Sequence, residues 1–236
     1  MTFFLLPCYN EEKSLKAVLE EFKNINTDFE ICIVDDGSQD ATNEVAKNLK
    51  EKFNLPVEIL KHKKNQGLGS AIKTGFGKIL KRAKEDDFVV VMDADGTHPL
   101  SVAQKMINVA KKQNCDIVIA SRFKRGGMQK GVSFVRGFLS RLSSFFLKLF
   151  FGKICDWTSG FRVYRAGALK RIFKKIRQKQ FTVQVEILFL AKKQNLKICE
   201  VPLQLNYKLK KSPSKLRLFS LLFSYLQFFT REVWTE

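Results

Sequence analysis

Two carboxylates one residue apart, Asp93 and Asp95, close an apolar run of strand-forming residues, Val89-Val90-Val91-Met92. While a backbone stays extended, side chains at i and i+2 point the same way, so both carboxylates can face one ligand. In an open α/β sheet, ligands gather just outside the carboxyl ends of the strands. Two hard oxygen donors that make no closed cage suit Mg²⁺ or Mn²⁺ arriving with a diphosphate. An isolated Asp-x-Asp is also ordinary turn chemistry, so the other strand ends decide. Pro7-Cys8-Tyr9-Asn10-Glu11 follows one apolar run and Asp35-Asp36-Gly37-Ser38 another. A planar aromatic can stack on a base, and a carboxylate can accept a hydrogen bond from a base or a ribose. Three such ends side by side would make a nucleotide site.

The chain has to bring those ends together, and its first half has the pattern to do it. Short apolar runs alternate with helical periodicity, which predicts βαβ units and an α/β fold with a mostly parallel sheet flanked by helices. Strands are expected over residues 2–6, 30–34, 57–61, 88–93 and 116–121. Helices are expected over 12–22, with Leu15, Val18, Leu19 and Phe22 as the apolar stripe, and over 71–83 and 100–112. Another, capped by Ser38 or Asp40, carries Val45, Leu49 and Phe53. No repeat or low-complexity linker interrupts the 236 residues, so 1–236 reads as one domain with halves 1–121 and 122–236.

Charge divides the same halves. Residues 1–121 hold 17 basic and 18 acidic side chains, whereas residues 122–236 hold 25 and 5, within a total of +19. A polycation interleaved with Phe and Leu calls for an anionic partner: nucleic acid, a lipid surface or a phosphate-bearing substrate. Two stretches of the second half are amphipathic. Over 135–151, Val135, Phe138, Leu139, Leu142, Phe145, Phe146, Leu149 and Phe150 share one face, and Arg136, Ser140, Arg141, Ser143 and Lys148 lean away. Residues 216–234 repeat the theme with Phe219, Leu222, Phe223, Leu226 and Phe229. Such helices fit a membrane interface or, equally, a protein core. Neither reaches the roughly 20 apolar residues that span a bilayer. The five scattered cysteines (8, 32, 115, 155 and 199) read as reduced, buried thiols of a cytosolic protein. The start, Met1-Thr2-Phe3-Phe4-Leu5-Leu6-Pro7, lacks a basic n-region and reads as a first strand rather than a signal peptide.

Taken together, these motifs resemble the family 2 glycosyltransferases of GT-A (Rossmann-like) fold. Within them the chain is similar to the polyprenyl-phosphate sugar transferases of the dolichol-phosphate mannose synthase type. The matching stretches are 7–11, 34–42, 65–76, 92–99, 120–122, 156–162, 184–186 and 200–202. The resemblance implies that Pro7, Tyr9, Glu11, Asp36 and Asp93 hold a nucleotide sugar, and that Asp93 and Asp95 hold Mg²⁺ or Mn²⁺. Thr97 stands where the family commonly places a third metal contact, a Gln. Arg122 and Arg136, the latter four before Ser140, match arginines used on the acceptor phosphate. Ser159 and Arg162 fall in an acceptor-side loop, and Gln184 and Glu186 are expected to face the sugar from a helix. The Ser-Lys pair near the C-terminus is present as Ser214-Lys215, but Ser212 replaces the expected Gly and the basic residue is displaced.

The expected activity is inverting, metal-dependent transfer of one sugar to a polyprenyl phosphate by a peripheral enzyme on the cytosolic membrane face. An acceptor that is already anionic needs no strong general base, which accords with the lack of a Ser-His-Asp or Cys-His arrangement; His62 and His98 are read as packing or supporting residues. GDP-mannose is the first-choice donor, with UDP-glucose or a UDP-N-acetylhexosamine as the alternative. A membrane-spanning subunit remains possible as a partner. Two other readings stand beside this one: a basic nucleic-acid-binding protein, and a non-catalytic membrane adaptor. The first leaves the acidic strand ends without purpose and puts Phe and Leu where a groove would want polar contacts. The second is opposed by the intact Asp93/Asp95 pair.

Overall fold

The computed structural model describes residues 1–25, 27–132 and 134–209, of which 134–136, 139, 143, 150, 151 and 209 are described by backbone alone. The expected helix over 216–234 and Lys215 lie outside the described residues. The first half builds strands β1 (Thr2–Cys8), β2 (Phe29–Asp35), β3 (Val57–Lys61), β4 (Phe88–Val91) and β5 (Ile117–Ser121). Between them run helices α1 (Leu15–Glu21), α2 (Thr42–Phe53), α3 (Leu68–Ile79) and α4 (Leu100–Gln113). After a short strand β6 (Met128–Lys130) come α5 (Phe134–Phe151), β7 (Arg162–Arg165), α6 (Ala166–Phe173), α7 (Val183–Lys193), β8 (Ile198–Pro202) and β9 (Gln204–Asn206). The expected α/β sheet is present, in the order β3-β2-β1-β4-β7-β5-β8. Only β7 runs antiparallel to its neighbours. A small β6–β9 pair stands apart from it.

Why these strands lie at the centre follows from their period. In β1, Phe3 and Leu5 enter the core layer under α3, α6 and α7, while Phe4 and Leu6 enter the layer under α1, α2 and α4. A strand buried on both faces reads as a continuous apolar run rather than an alternating one. Parallel register then does the positioning. Cys8 pairs with Asp35, and Leu5 with Val91, so the residues after β1, β2 and β4 emerge along one edge.

The cysteine expectation needs one correction. Cys8 and Cys32 are buried free thiols, and burial pushes the Cys32 thiol up to about 12. Cys115 and Cys199, however, form a disulfide across 84 residues, with Cα atoms 6.1 Å apart. It links the turn before β5 to β8, strands already paired in register. Sequence spacing could not show this, because the proximity comes from sheet pairing and not from a motif. Alkylation in denaturant without reductant should therefore mark three cysteines, rising to five after reduction; five from the start would refute the pairing.

Helix α5 corrects the other open choice. The described members of its apolar face are outside: Phe138 is 55%, Phe145 60%, Phe146 47% and Leu149 69% exposed, and Leu142 joins them. The side turned to the protein is the line Ser140, Ser144, Leu147, in which Ser144 and Leu147 are buried. This is the reverse of a core-facing amphipathic helix. Among the described residues no helix is long and apolar enough to cross a membrane.

Candidate active site

The loops after β1 and β2 are stitched into one wall. Asn10, in the left-handed region at φ 52°, donates its N–H to Ser38 Oγ and accepts from the Gln39 N–H on its side-chain oxygen. The Glu11 N–H donates to Thr42 Oγ1 at 2.7 Å, and Glu11 Oε2 accepts from Ser14 Oγ at 2.6 Å. Pro7 is the penultimate residue of β1, and Tyr9 follows the strand, half-buried. Asp36 is buried at the head of the next loop. Its Oδ1 accepts from His62 Nδ1 (2.6 Å) and the Gln66 N–H (2.9 Å), and its Oδ2 from the Gly67 N–H (2.8 Å). The expected nucleotide residues are thus brought together along three adjacent strand ends.

Asp93 and Asp95 lie beyond β4, which ends at Val91 and not at the expected residue 93, and their environments are unlike. The Asp93 side chain is 45% exposed, whereas Asp95 is buried. His98, stacked on Phe161 with ring centres 4.4 Å apart, accepts the Asp93 N–H on Nδ1 at 2.9 Å. That puts the ring proton on Nε2, 3.8 Å from Asp93 Oδ2. His98 therefore holds the backbone of a carboxylate residue. The hydroxyl and the N–H of Thr97, expected as a third metal contact, both donate to Asp95 Oδ1, at 2.6 and 3.0 Å, and so orient that carboxylate. Among the described residues no group of three or more His, Cys, Asp or Glu could by itself hold a metal ion; two carboxylates fit a hard cation that keeps waters and takes the rest of its shell from a diphosphate.

Opposite Asp93, a Cβ added to Gly160 would lie 3.9 Å from Asp93 Oδ1 and 3.2 Å from Gln184 Nε2. Gln184, on α7, thus lies across Gly160 from Asp93. Glu186, two residues farther on the same helix and so on its other side, is turned to backbone groups. Its two oxygens accept from the Arg177 and Gln178 N–H groups. It fixes a stretch whose Lys179 carbonyl accepts from Gly69 and Ser70 at the start of α3. Glycine at 69 is required by this approach, since a Cβ there would lie 2.3 Å from Gln178 O. Arg162 also departs from its expectation of facing acceptor. Fully buried in β7, it donates to the carbonyls of Gln184 and Trp157. Ser159 is likewise buried and donates to Ala120 O at 2.7 Å.

Arg122, after β5, is held by a partner the sequence reading did not assign. Its Nε and Nη2 donate to the two oxygens of Asp156, both at 2.7 Å, and Nη2 also reaches Thr158 Oγ1 at 2.6 Å. Burial by itself would raise the Asp156 carboxyl; Arg122 more than offsets this and holds it below the usual carboxylate range. Glu200 of β8 accepts the Cys155 and Asp156 N–H groups, one on each oxygen, at 3.0 Å. Ser140 of α5 lies 3.4 Å from Thr158 Oγ1, so the exposed apolar helix abuts the arginine. Arg122 and Arg141 both stand over the Phe123 ring. Arg136 lies in α5, its side chain outside the described set. One signal could have found the anchors: Asp156, Glu186 and Glu200 are the only acidic residues of 122–209. In a polycationic segment, rare carboxylates are candidates for structural pairs.

Comparison with known proteins bears on this arrangement. The profile of glycosyl transferase family 2 matches residues 4–173. The chain is 34% identical over 222 residues to the UDP-N-acetylglucosamine–dolichyl-phosphate N-acetylglucosaminyltransferase of Methanococcus voltae, covering 88% of this chain and 86% of that one. It is 34% identical over 203 residues to the dolichol-phosphate mannosyltransferase of Pyrococcus furiosus, covering 84% of this chain but about half (54%) of the relative. Among solved structures it is similar to glucosyl-3-phosphoglycerate synthase from Mycobacterium tuberculosis, solved with Mn²⁺, uridine diphosphate and glucosyl-3-phosphoglycerate. That likeness has a TM-score of 0.66 at 18% identity and covers 94% of this chain and 74% of that one. At that identity the likeness is one of fold.

Proposed function

Because the chain belongs to glycosyl transferase family 2, and is thereby a glycosyltransferase, we propose that it moves one sugar from a nucleotide diphosphate sugar to a polyprenyl phosphate at the cytosolic face of a membrane. Residues 1–121 would hold the donor and 122–236 the acceptor. The observation that carries the acceptor assignment is the adjacency of Arg122 to α5, whose large apolar side chains are exposed. A phosphate on a long apolar chain needs a cation next to a greasy surface, and this is where the two meet. For the donor, resemblance favours GDP-mannose; UDP-N-acetylglucosamine is the second reading, favoured by the relative whose length the chain spans more fully, 86% against 54%.

In this mechanism the wall from Pro7 to Asp36 seats the nucleotide, and Asp93 and Asp95 would hold Mg²⁺ or Mn²⁺ with the diphosphate. The bound cation supplies charge neutralisation on the departing diphosphate. Arg122, its guanidinium plane fixed by Asp156, orients the acceptor phosphate for in-line attack with inversion. The acceptor oxygen is already anionic, so no side chain has to remove a proton. Gln184, across Gly160 from Asp93, would meet the sugar.

The test is transfer of radiolabelled sugar into organic-extractable lipid, with a polyprenyl phosphate, Mn²⁺ and each donor run separately. One donor giving a chelator-sensitive lipid product is expected; an unlabelled lipid phase with every donor would refute the acceptor assignment. The membrane part has its own check. Phe145→Asp with Leu149→Asp should abolish flotation with anionic vesicles, since each inserted apolar side chain contributes roughly 1.5–3 kcal/mol. Both side chains are exposed, so thermal stability should stay within about 0.5 kcal/mol. Unchanged flotation would rule out α5 as the docking face.

A further inference from the structure

We infer that His62 is a positioning residue of the donor site, fixing the carboxylate of Asp36 that the nucleotide would meet. This role rests on the donor-site reading proposed above. The His62 ring is buried between the end of β3 and α3, with its side chain 10% exposed. Each ring nitrogen has one polar partner: Nδ1 meets Asp36 Oδ1 at 2.6 Å and Nε2 meets Thr74 Oγ1 at 2.9 Å. The His62 N–H also donates to Asp35 O at 2.9 Å, tying the ring's own backbone to the strand that carries Asp36.

A carboxylate offers about four acceptor sites. At Asp36 the ring and two loop N–H groups take three of them, two on Oδ1 and one on Oδ2. The remaining capacity is therefore on Oδ2, and its direction is set by what grips Oδ1. Of the three donors, only the His62 ring is a side chain, and it comes from a third strand end. Thr74 holds the far edge of the ring and prevents it from turning away. The polar partners of the His62 ring are Asp36 and Thr74, so its effect on the donor passes through Asp36. Losing it should weaken donor binding without slowing the chemical step of bound donor.

Two substitutions separate this from packing. His62→Asn keeps a donor near the position of Nδ1 and gives up Thr74; His62→Gln reaches toward Thr74 and gives up Asp36. The full chain is titrated calorimetrically with UDP and with GDP, each with Mn²⁺, and donor KM and kcat are measured alongside. Loss of a charge-assisted hydrogen bond predicts that His62→Gln weakens nucleotide binding about tenfold to thirtyfold. The same loss should appear in KM, with kcat at saturating donor within about twofold. His62→Asn should stay within about threefold of the parent. Equal losses in both variants would show a packing role only, and unchanged affinity in both would show none; either overturns the inference. Should replacement of the imidazole prevent folding, Thr74→Val is the decisive variant: about a two- to fivefold loss supports the role, and unchanged affinity overturns it. A parent protein that binds neither nucleotide would instead refute the donor-site reading itself.

Discussion

Asp95→Asn should lower the rate of sugar transfer about a thousandfold while leaving the protein at least as stable as its parent. The expectation comes from what each atom of Asp95 does. Oδ1 accepts from the N–H and the hydroxyl of Thr97, and an asparagine can keep that oxygen in place. The Asx-type turn that carries the side chain therefore survives the substitution. What disappears is the buried negative charge that, in the proposed mechanism, would hold a cation against a diphosphate. Removing one preorganised electrostatic element at a reacting centre costs about 10²–10³ in rate. Relieving two neighbouring carboxylates of mutual repulsion can raise stability, as often happens at functional sites. The measurement is kcat at saturating donor and Mn²⁺, beside a thermal melt. A variant with parental activity would remove Asp95 from the proposed metal site. Thr97→Val should cost less, about tenfold, because it releases the orientation of Asp95 but keeps its charge.

Arg122→Ala should be the most damaging single change to the acceptor half, for two separable reasons. The first is stability. Asp156 is fully buried, and Arg122 is the cation on both its oxygens. Removing one partner of a buried pair costs about 3–5 kcal/mol, because the other charge is left uncompensated. The pH dependence has a definite sign. In the parent, Asp156 lies below its ordinary range, so its contribution is present above about pH 4 and lost as pH falls through the folded value. In the variant, burial without the guanidinium raises the carboxyl. The deficit against the parent should therefore shrink as pH is lowered toward 5, which urea melts at two pH values can read. The second reason is activity. Arg122→Met combined with Asp156→Asn removes both charges and keeps an acceptor oxygen for the N–H groups of Thr158 and Ser159, giving up the one that takes the residue 122 N–H. That double variant should recover most of the stability and none of the transfer. Recovery of both would leave Arg122 a structural residue only.

Much of this site is written locally in the chain. Apolar runs broken by Pro7-Cys8-Tyr9, Asp35-Asp36 and Asp93-Ala94-Asp95 are strands ending in chemistry, and parallel pairing in register does the rest. The period of α5 likewise announces an apolar stripe. Such features are legible because side-chain period and turn chemistry depend on a few neighbouring residues.

Other features depend on partners that no local pattern announces. Arg162 and Glu186 share stretches with acceptor-side motifs, yet each turns inward to backbone groups. The side of α5 that meets the protein, Ser140, Ser144 and Leu147, is set by how the helix sits beside Thr158. The sequence alone determined the sheet, the row of acidic strand ends and the basic, amphipathic second half. Only the tertiary structure decided that β7 enters antiparallel between β4 and β5, that Cys115 meets Cys199, and that Asp156 and Glu200 stand behind Arg122. Periodicity is a property of neighbours in sequence, whereas a buried charge must be satisfied by whatever group the fold carries to it.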